Sequence, residues 1–191
     1  MQAILLTIST ILITAAGIIY CASIIRGRTK PHRTTRFAVL VILTLNFLSV
    51  LAAHGNLGAE IYSGILFVSA IAFFILSLKS GMGGLSVFDL VCLVIALSGV
   101  VAWRLAANPI LGIWFAVMGD LVAYLPALYK TWKHPHTESP WLYALSGSAS
   151  FISLIAYRIS AVSVFQIFTM ICSAAMLVCI YHTVLFKKAG A

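Results

Sequence analysis

Acidic side chains are nearly missing from this chain: Glu60, Asp89, Asp120 and Glu138 are its four carboxylates in 191 residues. They fall in four separate segments, so no second acid is spaced to work with Asp120 in acid–base catalysis. HExxH and GxSxG patterns are absent as well, which removes the common signatures of a metalloprotease or a serine hydrolase. The expectation is a protein that is not an enzyme. Cysteine is equally sparse. Cys21, Cys92, Cys172 and Cys179 lie inside apolar stretches without CxxC spacing, which reads as core packing with neither disulfide nor metal. His134 and His136 form an HxH, but no cysteine or carboxylate cluster nearby completes a coordination sphere. No cofactor and no metal are expected.

Charge of either sign is scarce. Charged residues make up 8% of the chain against 62% hydrophobic, and the mean hydropathy is +1.10. A soluble domain cannot hide that much apolar surface, so the expected solvent is lipid. Seven apolar runs follow one another: Ile4–Ile25, Phe37–Ala53, Ile61–Leu78, Phe88–Trp103, Leu111–Tyr129, Trp141–Tyr157 and Val162–Leu185. Each is near the roughly 20 residues a helix needs to cross hydrocarbon. The loops between them are too short for a soluble domain. The first run has no cationic start and is long for a signal-peptide core, so it reads as a retained helix.

The net charge of +8 would suggest nucleic acid in a soluble protein, but its placement gives it another meaning. Arg26, Arg28, Lys30, Arg33 and Arg36 read as the first loop, Lys79 as the third, Lys130 and Lys133 as the fifth, and Lys187 and Lys188 as the tail. Only Arg104 and Arg158 fall on the opposite side. The positive-inside rule then puts the amino terminus outside and the carboxyl terminus in the cytoplasm. The expected location is the plasma (bacterial inner) membrane. Nucleic-acid partners are not expected.

The chain also repeats itself. Shifted by 104 positions, Tyr20 falls on Tyr124, Arg26 on Lys130, Pro31-His32 on Pro135-His136, Phe47 on Phe151, Ser49 on Ser153 and Ser69-Ala70 on Ser173-Ala174. In both copies an apolar run ends in cations, passes a Pro-His turn and enters a second run. Three-helix units joined directly would point in opposite directions. Both Pro-His loops nevertheless read as cytoplasmic, so one extra crossing is needed, and Phe88–Trp103 supplies it. The expected fold class is an all-α integral membrane protein of seven transmembrane helices, two parallel three-helix repeats joined by a linker helix. Residues 1–79 form the first repeat, 80–107 the linker and 108–191 the second repeat.

At this point the residues carry a resemblance. The three-plus-one-plus-three plan, the segment Tyr124-Leu-Pro126-Ala-Leu-Tyr-Lys130 and the short loop bearing Glu138, Ser139 and Pro140 resemble the SWEET and PQ-loop superfamily of membrane transporters. The topology covers essentially the whole chain, and the motif about 30 residues of each half. Ala127 stands where the family's PQ dipeptide has glutamine, and Ala22 matches Pro126 in the first half. The Trp–Asn pairs of sugar-carrying members are not evident. The resemblance therefore implies the fold and a transport role, and does not extend to sugar. It also implies that the helix carrying Pro126 bends there during gating.

Asp120 is the sharpest single residue. A carboxylate near the middle of a crossing helix costs at least about 2.5–3.5 kcal/mol when charged and unpaired, and its repeat partner is Ala16. It reads as a proton- or ammonium-binding group facing a cavity, or as a hydrogen bond to a neighbouring helix. Tyr124, one turn on, shares its face, and Tyr20 would face Tyr124 across the pseudo-twofold. Pro126 frees the Val122 carbonyl and makes a hinge point or a static kink. Ser146, Ser150, Ser153 and Tyr157 share one face of the sixth run, as close packing or as a polar cavity wall. Asn46 on the second run and Gln166 on the seventh are further wall candidates. His54, Glu60 and Arg158 group at the outer side, and Lys130 with Glu138 at the inner side, as gates or as solvated loop ends.

The expected function is a small-molecule transporter working by alternating access, possible proton coupling passing through Asp120. A cationic, zwitterionic or vitamin-like metabolite is favoured over a neutral sugar. The alternative is a receptor of the same shape that binds a ligand without moving it. The KDEL receptor shares that shape.

Overall fold

A computed structural model describes residues 1–29, 31, 33–81, 87–133, 135, 138–156 and 159–187. Lys30, His32, His134, His136, Tyr157, Arg158 and Lys188 lie outside the described residues. Among those described, the chain is all-helical, in the order α1 (Gln2–Ile25), α2 (Arg33–Ala52), α3 (Leu57–Ser80), α4 (Val87–Ala106), α5 (Pro109–Lys133), α6 (Pro140–Ala156) and α7 (Val164–Lys187). A short 3-10 turn, Ala161–Ser163, leads into α7. Gln2–Ile25, Thr35–Ala52, Leu57–Ser80 and Ala161–Tyr181 are long and apolar enough to cross a membrane, and Leu97–Ala106, Pro109–Leu125 and Pro140–Ala156 are shorter apolar helices.

Each apolar run became a helix, and local chemistry sets the ends. The Asn56 side chain accepts from the Ala59 amide at 2.9 Å and caps α3, with Glu60 in its first turn. Proline opens α5 and α6, where its missing N–H costs nothing. Ser160 and Ser163 form a reciprocal capping box before α7. Gly27, at φ +69, ends the turn after α1.

Several cations expected in loops are helical instead. Arg33 and Arg36 lie on α2, Lys79 on α3, Lys130 and Lys133 on α5, and Lys187, expected in the tail, on α7, because backbone hydrogen bonding carries each helix past the point where the apolar pattern stops.

The side chains are distributed in reverse of a water-soluble protein. Along α1, Ile4, Ile11, Ile18 and Ile25 are exposed as one stripe, while Ser9, Ala16, Gly17 and Tyr20 are buried. Leu90, Val94, Leu97, Val101 and Leu105 form a second exposed stripe on α4. Ser49, Ser77, Ser150 and Ser173 are at most 1% exposed. Greasy outside and small-polar inside is the pattern of helices packed in lipid.

The helices close into a ring. α3 packs between α1 and α2, α7 packs between α5 and α6, and the ring is completed by α1 on α6 and α2 on α5. α4 lies outside it, against α5 and α2. Two glycines set the spacing on that side. A Cβ on Gly99 of α4 would lie 2.5 Å from Phe115 Cβ, and one on Gly112 of α5 would collide with the Ser49 hydroxyl. The opposite seam is tied by hydrogen bonds: Ser9 Oγ donates to the Ala149 carbonyl at 2.8 Å, and the Tyr62 and Ser150 hydroxyls meet at 2.5 Å.

Candidate ligand cavity

All six ring helices contribute to one cavity of about 430 Å³, within the usual range of small-molecule sites. Tyr20 comes from α1, Arg36 from α2, Ser69 and Phe73 from α3, Asp120 and Tyr124 from α5, Tyr143 and Ser146 from α6, and Thr169 from α7. The walls between these groups are apolar, among them Ile13, Val39, Leu43, Leu66 and Phe165. Thr29, Pro31 and Glu138 line the cavity where it reaches the end of the bundle that carries the Pro-His loops.

A second, shallower space of about 540 Å³ lies at the other end, lined by Gln2, His54, Asn56, Ile110, Ser160 and neighbours. The chain order along each helix shows what separates the two. On α2 the cavity residues stop at Leu43, the buried Leu45, Asn46, Ser49 and Val50 follow, and Ala53, just past the end of the helix, belongs to the far space. On α5 the order is reversed: Ile110 lines the far space, Ile113, Ala116 and Val117 are buried, and Asp120 begins the cavity. A packed layer thus closes one end while the other is reached by the cavity.

Two of the charged groups in the cavity, Arg36 and Glu138, are held by specific contacts. The Arg36 guanidinium donates to the Tyr20 hydroxyl and lies 4.9 Å from the centroid of the Tyr20 ring and 5.7 Å from that of Phe73. Tyr20 and Phe73 pack edge-on at 4.8 Å, so the cation and the two rings form one cluster. The Tyr143 hydroxyl donates to Glu138 Oε2 at 3.3 Å. Asp120 is 8% exposed, makes no hydrogen bond to a described residue, and feels the Arg36 charge. Tyr124 packs edge-on against Phe168 at 6.1 Å.

Of the residues singled out in the sequence, the structure brings Asp120, Tyr124, Tyr20, Ser146 and Glu138 into this cavity. Ser146 also meets the Ser173 hydroxyl at 3.2 Å. Asn46, Ser150 and Gln166 are not on its wall. They are buried in the helix seams: Ser150 between Tyr62 and the Ser146 carbonyl, Gln166 donating to Ser153 at 3.0 Å, and Asn46 with its Oδ1 unpartnered. His54 lines the far space with backbone at φ +47, and Glu60 sits in the first turn of α3. No ion pair joins these two among the described residues, and Arg158 is not among them. α5 runs as helix through Pro126 and Lys130, whose side chains are not described.

Sequence reasoning missed Arg36, Tyr143, Phe73 and Thr169. Two of these left a signal. Tyr143 lies one turn before Ser146, so the serine stripe on α6 extends back to it. Arg36 is one turn before Val39 and two before Leu43, which is helical spacing and not loop spacing. Compared with known proteins, the chain matches no family model, no curated protein and no solved structure.

Proposed function

We propose that the chain is an integral membrane transporter for a small molecule, working by alternating access between α1–α3 and α5–α7, with α4 as linker. The observation that carries this reading is the cavity itself: six helices around one space with charged and hydroxyl groups set in apolar walls, reached from one end and closed by a packed layer at the other. Such a space suits a carrier facing one side.

The packing pattern supports the two-repeat plan. A twofold axis relating α1 to α5, α2 to α6 and α3 to α7 turns the α1–α6 contact into the α5–α2 contact, and both exist. It also turns the α3 position between α1 and α2 into the α7 position between α5 and α6. Tyr20 and Tyr124, 104 residues apart, reach the same cavity. Exposed Tyr129, Trp132 and Trp141 near the Pro-His end suit a membrane interface. In this reading that end is cytoplasmic, in a bacterial inner membrane with the amino terminus outside, and the cavity opens inward.

Asp120 is the coupling group. It is buried on the cavity wall within the field of Arg36, where carrying a proton or meeting a ligand cation stabilises a carboxylate removed from water. Uptake or counterflow in proteoliposomes tests this, wild type against Asp120→Asn. The wild type is expected to transport with a pH dependence that the variant loses. Identical transport by both across pH removes the coupling role, and no transport of any ligand that stabilises the protein removes the carrier reading.

A further inference from the structure

Arg36 was expected among topological cations, yet among the described residues it is the positive group that lines the cavity. A cavity that needed only to bind a cation would be served by Asp120 and Glu138 alone. An arginine in the same space adds a requirement of opposite sign. Its guanidinium carbon lies 4.9 Å from the centroid of the Tyr20 ring and 5.7 Å from that of Phe73, and the Tyr20 hydroxyl takes one of its donors. Two rings and a hydroxyl restrain the guanidinium, which carries five N–H donors and so keeps others for a planar anion. Arg36 itself lines the cavity, so the rest of the fork has that space in reach.

Two carboxylates share the space with it. Glu138 stands at the loop end of the cavity with Tyr143 as a donor, and Asp120 is on α5, which packs directly on α2. Positive and negative groups in one space with apolar walls make a dipolar site.

We propose that Arg36 is the specificity-determining residue of this cavity, holding the carboxylate or other planar anionic group of the ligand. The inference rests on the transporter reading for its purpose and on the Arg36 contacts for its content. The ligand then carries an anionic group at one end, a body that suits apolar walls, and, where it has a cationic group, places that group toward Asp120. Neutral polyols and simple amines lack the group that the guanidinium requires.

The test is a set of small carboxylates, each paired with its own primary amide, 3-phenylpropionate and L-phenylalanine among them. Each is added to the purified full-length protein while its melting temperature is followed. Acids are expected to stabilise the wild type with at least about tenfold tighter apparent affinity than their amides, since the charge-assisted contact is lost in the amide. Arg36→Gln is expected to erase that preference, and Arg104→Gln, at an exposed position in the last turn of α4 outside the ring, to keep it. Should Arg36→Gln fail to fold, Arg36→Lys, which keeps the charge without the fork, is expected to shrink the preference. Equal stabilisation by acids and amides, or none by any acid, overturns the proposal. Acid binding that depends on Arg36 without uptake leaves this inference standing and removes the carrier reading. Uptake that ignores both the carboxylate and Arg36 does the reverse.

Discussion

Gly112→Ala probes the seam on which the two helix triplets would move. A Cβ there runs into the Ser49 hydroxyl, with Ser49 Cβ at 3.2 Å and Leu45 Cδ1 at 3.4 Å. Neither Ser49 nor Gly112 is at a surface where the strain could relax, so α2 and α5 must separate or Ser49 must turn. Overpacking of this kind costs about 1–3 kcal/mol. Ser49→Ala alone should behave differently. Its hydroxyl is buried without a partner, so its removal is expected to be neutral or to stabilise by up to about 1 kcal/mol. In the double variant the collision with oxygen is gone, and only the tight approach between β-carbons remains. The two changes are therefore coupled by about 1–2 kcal/mol. Thermal unfolding of the purified protein reads this at about 2–4 °C per kcal/mol for a chain of this size. A silent Gly112→Ala, or a double variant as unstable as the single one, would refute the close packing of α2 on α5.

The opposite seam and the lipid-facing surface give two further expectations. Tyr62→Phe removes the hydrogen bond to Ser150 across α3 and α6 and should cost about 0.5–1.5 kcal/mol. Added to Ser150→Ala it should cost little more, and full additivity in the same unfolding measurement contradicts the contact. Val94→Lys on the exposed stripe of α4 should impair membrane insertion, with a penalty of about 2.5–3.5 kcal/mol at a helix centre. In a protein surrounded by water the same change would be harmless, so normal yield in the membrane fraction counts against the bilayer reading.

Much of the fold was legible because a crossing helix advertises itself as an unbroken apolar run. All seven runs correspond to helices, and only the ends moved, as at Arg33 and Arg36, where hydrogen bonding outlasts hydrophobicity. Tyr20 and Tyr124, paired by the 104-residue shift of the sequence, both line the cavity. The order of helices around the ring was not legible. It depends on which small residues meet, as Gly112 meets Ser49, and no periodicity within a helix says which neighbour it faces. Depth was equally hidden. Asn46 shares the inner face of α2 with residues of the cavity wall, yet it sits in the closed layer, because helical spacing gives a face and not a height.

The central claim is that the cavity opens to each side of the membrane in turn. A single cysteine at Thr169, a cavity residue on α7, in a variant with Cys21, Cys92, Cys172 and Cys179 replaced by serine, can be challenged with a membrane-impermeant maleimide in oriented, sealed vesicles. Labelling from both the cytoplasmic and the outer face, slowed from both by a stabilising ligand, is the predicted result. Labelling from one face alone, with or without that ligand, would contradict alternating access.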